Sequence, residues 1–186
     1  SRGLGDVYKR QKNMSDKKSN LKKFFLLDYT DRYWKIRENY ISTTNKLLRI
    51  LYYIRLKRIE SKTNSELGVS FQDSSAEFAS KPYFPHGLNG IIISRKCKIG
   101  KNVTVLHQVT IGTKITTIKA CSFNDTIAPT IGDNVYIGAG AKIIGNIHVG
   151  NNVLIGANAV ITKNIPDNHT AVGNPANIFP TKNRYQ

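Results

Sequence analysis

From Ile93 onward, aliphatic residues recur every six positions: Ile93, Ile99, Val105 and Ile111, then, after an interruption, Ile131, Ile137, Ile143, Val149, Ile155 and Ile161. Neither the 3.6-residue period of a helix nor the two-residue alternation of a strand produces that spacing alone. Four residues after each stands a second, small or β-branched residue: Cys97, Val103, Val109, Ile115, Val135, Ala141, Ile147, Val153, Ala159 and Ile165. Two inward positions per hexad are thereby set. Glycine follows the aliphatic residue at Gly100, Gly112, Gly132, Gly138, Gly150 and Gly156, as suits tight backbone turns. Ile144 and Thr162 break the glycine series three hexads apart, so three hexads make one coil.

Such a repeat predicts a mainly β protein, a parallel β-helix whose triangular coils bury their aliphatic layers only against one another. The register fails between Ile111 and Ile131, so residues 113–130 are expected to form an extruded loop. Long loops on a rigid scaffold often carry function. Cys97 falls on an inward position and reads as a core thiol, whereas Cys121 rides on the loop.

Ahead of the coils, from Asn20 to about Lys62, the pattern turns helical. Leu47, Leu48, Leu51, Ile54 and Leu56 recur at three-to-four-residue steps among Arg49, Arg55 and Lys57. One or two helices are expected, with Trp34, Tyr40, Tyr52 and Tyr53 adding aromatic bulk. A basic, partly apolar helical face packs on the rest of an assembly or touches a membrane surface peripherally. Glu60 to Ser80 reads as a connector with room for a poorly formed first coil. The expected division is a leader over 1–19, helices and connector over 20–80, the β-helix over 81–180 and a tail over 181–186. The leader is expected to be disordered, and Ser1 to Gln11 resembles a translated sequencing adapter, so it is set aside.

The 186 residues suit one domain with an appendage. The net charge of +16 is partly the leader's, where Lys9, Arg10, Lys12, Lys17, Lys18, Lys22 and Lys23 crowd together, so it does not imply a nucleic-acid partner. The two cysteines have neither metal-ligand spacing nor the density of a disulfide framework. No apolar run approaches the roughly 20 residues that span a bilayer. A soluble cytoplasmic protein without a metal is expected.

Five segments carry a resemblance: PHGLNGIIIS from Pro85, KIGKNVTVLHQVTIG from Lys98, PTIGDNVYIGAGAKIIGNI from Pro129, IGANAVITKNIP from Ile155 and VGNPA from Val172. They resemble the bacterial hexapeptide-repeat acyltransferases, most closely the serine acetyltransferase branch and its relatives that acetylate surface polysaccharides. The resemblance implies a left-handed β-helix, a homotrimer with its active site between neighbouring subunits, and acetyl-CoA as co-substrate. His86 matches the histidine that deprotonates the acceptor hydroxyl, although one residue more separates Gly87 from Gly90 than in the family pattern. A hydroxyl is too weak an acid to attack a thioester unaided at neutral pH, so a neutral imidazole must take its proton. His107 is the rival base, because its place two after Val105 matches the outward Asp133 and Asn151. His148 and His169 read as structural or solvated. By the resemblance, Gly138, Ala139 and Ala157 match positions where backbone amides hold the pantetheine arm, and Thr162 and Lys163 match positions near the coenzyme phosphates.

One departure shapes the expected acceptor. Where serine acetyltransferases carry an Arg-His-Pro triplet that binds the amino-acid carboxylate, this chain has Ile127-Ala128-Pro129, and Pro85 replaces the acidic residue before the first histidine. Losing a charged anchor costs about 2–5 kcal/mol. The expected function is therefore acetyl transfer to a hydroxyl of a sugar or surface-polysaccharide precursor, with serine O-acetylation and a non-catalytic trimeric scaffold as alternatives.

Overall fold

The computed structural model describes residues 29–71, 75–114 and 128–181. The leader, Ile115, Cys121, Ile127 and residues 182–186 lie outside the described residues. Helix α1 (29–42) and helix α2 (Lys46–Thr63) precede a stack of coils that has three flat faces. Face one runs β1 (Glu66–Leu67), β3 (Ile92–Ile93), β6 (Thr110–Gly112), β9 (Lys142–Ile144) and β12 (Val160–Ile161). Face two holds β2 (Glu77–Phe78), β4 (Lys98–Ile99), β7 (Thr130–Ile131) and β10 (His148–Val149). Face three holds β5 (Thr104–Val105), β8 (Tyr136–Ile137), β11 (Leu154–Ile155) and β13 (His169–Val172), closed by the antiparallel β14 (Asn177–Pro180).

All pairings along the stack are parallel, and within the regular part partners stand 18 residues apart, as in Ile92 with Thr110 and Lys142 with Val160. Three hexads per coil are thus realised. Thr110 pairs with Lys142, Lys98 with Thr130 and Thr104 with Tyr136, each 32 residues on, so one coil holds fourteen residues more than the others; the loop expected over 113–130 lies largely outside the described residues. The inward columns are as the hexads predict. Every residue of the first aliphatic series is buried, and so are all those of the second apart from Ile115, which lies outside the described residues. Such layers are worth roughly 1.5–3 kcal/mol per buried aliphatic side chain. The stretch read as a connector supplies the first coil, because β1 and β2 pair with β3 and β4 and Tyr83 bridges to Thr104.

Four of the six hexad glycines serve closeness of stacking instead of turning. Gly100, Gly132, Gly138 and Gly150 are absent from the left-handed residues, yet a Cβ on any of them would come within 2.5–2.7 Å of backbone atoms of the next coil. The turning is done by other residues. Asn102, Asn134, Asn152 and Asn168 adopt φ of 53, 56, 55 and 59° at the corner between faces two and three. Their side chains form a ladder in which each Nδ2 donates to the Oδ1 one coil on, at 3.2, 3.1 and 3.0 Å. Asparagine suits both tasks, since its short amide tolerates αL and satisfies a neighbour.

Helix α2 starts at Asn45, whose Oδ1 accepts from Leu47 N and Leu48 N, and ends at the left-handed Asn64, whose N–H donates to Glu60 O. Of the expected apolar stripe only Leu56 is buried within the chain. Leu56 and Ile59 face the core, while Leu47, Ile50, Leu51 and Ile54 line the opposite side and are exposed, Leu47 by 74 %. Both helices are fixed to the first coil by buried polar contacts. Glu60 accepts from Tyr33 Oη (2.8 Å) and from Leu67 N (3.0 Å) and pairs with Lys57 (2.7 Å). Tyr40 Oη donates to Ser70 O at 2.6 Å, and Arg37 Nη2 donates to Ala76 O at 2.5 Å. Burial first, and then the charge of Glu60, hold the Tyr33 phenol well above the usual tyrosine range. Among the described residues no helix is long and apolar enough to cross a membrane.

Two outcomes follow from this packing. Replacing Asn152 by Ala removes the amide that makes αL tolerable and cuts the ladder on both sides, so the urea midpoint should fall by the equivalent of about 1–3 kcal/mol, and Asn152→Gly should lose less. Burial pushes the Cys97 thiol up to about 12. Its folded pKa lies above the unfolded value of about 8.5, so its contribution is complete below that pH and lost as the pH rises towards 12. Unfolding free energy measured from pH 8 to 11 should therefore decline, and decline less steeply in Cys97→Ala.

Candidate functional site

The candidate residues collect at the corner between faces three and one. There the chain enters β3 through two successive turns, closed by Gly87 N to Phe84 O (3.1 Å) and Ile91 N to Leu88 O (3.3 Å). Gly87 and Gly90 supply the φ of 68 and 65° that the turns require. Gly90 N donates to Thr63 O at the end of α2, and Gln108 N donates to Asn89 O, so both the helix and the next coil hold this segment. Phe84 and Leu88 point inward, and His86 is exposed between them.

One coil on, His107 occupies the same corner, half-buried. Its Nδ1 lies 2.7 Å from the Nδ1 of His86, with ring centroids 4.9 Å apart and tilted by 42°. The two rival bases of the sequence are therefore one hydrogen-bonded pair. His148 is exposed on β10, and His169 donates from Nδ1 to Asp167 O (2.7 Å), a carbonyl that only accepts. Neither contributes to the pair.

The same corner continues through Gly138 and Ala139 to Ala157, joined by Gly140 N to His107 O (3.0 Å) and Asn158 N to Ala139 O (2.8 Å). Comparison with the Asn-ladder corner shows what is particular here. At that corner the residue two after the inward aliphatic has its N–H taken by the side chain of the next coil: Lys101 N by Asp133 Oδ1 (2.7 Å), Asp133 N by Asn151 Oδ1 (2.8 Å) and Asn151 N by Asp167 Oδ1 (2.7 Å). At the histidine corner the equivalent positions are His107, Ala139 and Ala157. Alanine has no acceptor to offer, and the N–H groups of His107, Ala139 and Ala157 have no hydrogen-bonding partner among the described residues. A column of backbone donors, one per coil, is left open and leads up to the imidazoles. The sequence displayed the alanines but not this contrast, which emerges only when hexads of different corners are compared position by position.

Thr162 and Lys163 stand apart, both exposed at the corner between faces one and two, with β12 separating them from Ala157. Lys142 bridges part of face one by donating from Nζ to Gln108 O at 2.8 Å. Among the described residues no three His, Cys, Asp or Glu side chains converge on a common point.

Residues 128–163 match the family model of the bacterial transferase hexapeptide, six repeats. Those coils are hexapeptide repeats of the bacterial transferase kind, and the chain is similar to serine acetyltransferases. The chain is 36 % identical over 140 residues to a serine acetyltransferase of Buchnera aphidicola, a match covering 75 % of this chain and 46 % of that protein. Among solved structures, soybean serine acetyltransferase complexed with serine superposes with a TM-score of 0.57 at 33 % identity, over 71 % of this chain and 49 % of that one. A serine acetyltransferase in complex with CoA gives 0.54 at 30 %, over 69 % and 47 %. The hexapeptide-repeat chain thus spans about half the length of the relatives it matches.

These relatives overturn the sugar acceptor expected from Ile127-Ala128-Pro129, since they are serine acetyltransferases. Ala128 and Pro129 are buried in the wall leading into β7, with Pro129 O accepting from Lys98 N (3.3 Å). Ile127, which stands where the family's arginine would be, lies outside the described residues, so the described part of the triplet does not decide the acceptor.

Proposed function

We propose that this chain is an acetyl-CoA-dependent serine O-acetyltransferase, a left-handed β-helix working as a homotrimer in the cytoplasm. The reading rests chiefly on the His86–His107 pair at the head of a column of unpaired backbone N–H groups. Its support comes from relatives of that activity, one of them in complex with CoA. The coils from Glu66 to Pro180 form the catalytic body, and α1 and α2 are mounted on its first coil.

In this reading the thioester arm of the coenzyme runs along the corner. The amides of Ala139 and Ala157 donate to its carbonyl groups, and the absence of bulky side chains from Gly138 to Gly140 allows close approach. Thr162 and Lys163 meet the coenzyme phosphates, and the net charge of +16 attracts both these and the serine carboxylate. His86 Nε2 takes the proton of the serine hydroxyl while the hydroxyl oxygen bonds to the acetyl carbon. The C–S bond then breaks, and the same proton passes to the departing sulfur, returning the imidazole to its starting state. The His107 N–H is placed to donate to the oxygen that gains charge. The outward stripe of Leu47, Ile50, Leu51 and Ile54 on α2 is assigned to contact with another copy of the chain.

Purified protein given acetyl-CoA should release free thiol on addition of L-serine. No rise above the rate without acceptor would overturn the acceptor assignment. His86→Ala should reduce that rate by about 10²–10⁴-fold while the circular dichroism spectrum is retained. Ala157→Asn should supply to Ala139 N the acceptor that Asn151 gives Asp133 N. Its melting temperature should hold or rise while calorimetry shows CoA affinity falling at least tenfold. Light scattering should give three times the chain mass, and Leu51→Glu should lower it.

A further inference from the structure

We propose that His107 is a positioning residue that sets the tautomer of His86, keeping the proton on Nδ1 and the lone pair on Nε2; this rests on the reading of His86 as the base. Two imidazole nitrogens 2.7 Å apart hold one proton between them. Two protons would set N–H groups head to head, and none would oppose two lone pairs. One ring therefore donates from Nδ1 and the other accepts there. A neutral ring that donates from Nδ1 has a bare Nε2, and a neutral ring that accepts on Nδ1 carries its proton on Nε2.

The surroundings decide the direction. His86 is exposed on a two-turn segment, whereas His107 is half-buried, its flanking residues held by Leu106 N to Ile137 O and Gln108 N to Asn89 O, both within 3.0 Å. The ring that meets an acceptor from solvent is His86, so it must be the donor within the pair, with Nε2 free to take a hydroxyl proton. Among the described residues neither ring has another hydrogen-bonding partner, a carboxylate included, so within them the task of fixing the tautomer falls to His107. When Nε2 gains the hydroxyl proton, the Nδ1–H to Nδ1 bond becomes charge-assisted and stabilises the imidazolium. When Nε2 gives that proton to sulfur, both rings return to their starting states.

The test reads the tautomer directly. Nitrogen-15 spectra of the histidine-labelled full chain, near neutral pH and without substrate, should show His86 protonated on Nδ1 and bare on Nε2. In His107→Leu, which removes the acceptor, His86 should move to the Nε2–H form. His107→Asn should restore the Nδ1–H form, because its Oδ1 accepts and the equivalent position of another coil already holds Asn151. In serine-dependent turnover, kcat should fall at least tenfold in His107→Leu with KM changed less than twofold, and recover in His107→Asn. Wild-type His86 in the Nε2–H form, or an unchanged tautomer in His107→Leu, overturns the inference even if serine is acetylated. A tautomer that depends on His107 in a protein that acetylates no serine upholds the inference and overturns only the acceptor assignment. Should His107→Leu fail to fold, the wild-type and His107→Asn spectra decide alone.

Discussion

Parallel strands of successive coils stack at about 4.8 Å, and everything else in this protein accommodates that spacing. At such a distance the interior admits only aliphatic layers in register, which the 18-residue offset between partners provides. The corners admit nothing where coils touch most closely. Gly100, Gly132, Gly138 and Gly150 sit at those points because a methyl group would enter the backbone of the next coil. A coil has no core of its own, so each layer is stable only between its neighbours. The two ends need covering: the helices fixed through Glu60 and Tyr40 serve the first coil, and the β13–β14 hairpin serves the last.

The histidine corner is the asparagine corner with its side-chain acceptors removed. Both have the same backbone course, and at both the residue two after the inward aliphatic presents an N–H outward. Asp133, Asn151 and Asp167 seal one corner by taking those donors, and the matched asparagines at positive φ reinforce it. Alanines at 139 and 157 leave the other open. An unmade backbone hydrogen bond forfeits roughly 0.5–1.5 kcal/mol. Three in a column are tolerable in a scaffold this regular, and the open corner gains a linear row of donors ending at two imidazoles.

The fourteen-residue excess between Ile111 and Ile131 shows how strongly the coils hold register. The pairings on either side resume on all three faces as though nothing had been inserted. A solenoid tolerates such an insertion because each coil needs only the right residues above and below it, not a continuous chain path. Ala128 and Pro129 belong to that wall, so their identity describes the resumption of the coil.

The sequence alone determined the coils: a six-residue period with two inward positions admits few other packings, and the buried columns from Ile93 to Ile165 follow it. It also marked His86 and His107, since few side chains can take a proton near neutral pH. Only the tertiary structure decided that these two are one pair, because residues 21 apart in sequence meet only when a first coil begins at Glu66 and brings residue 86 beneath residue 107. It likewise decided that Gly100, Gly132, Gly138 and Gly150 serve stacking, and that Leu47, Leu48, Leu51 and Ile54 of α2 face outward while Leu56 faces in, since a one-dimensional pattern gives spacing but not which side meets a neighbour. The open column of amides was present as a pattern of alanines against asparagines and aspartates. It acquired meaning only once the fold showed which corner each hexad occupies.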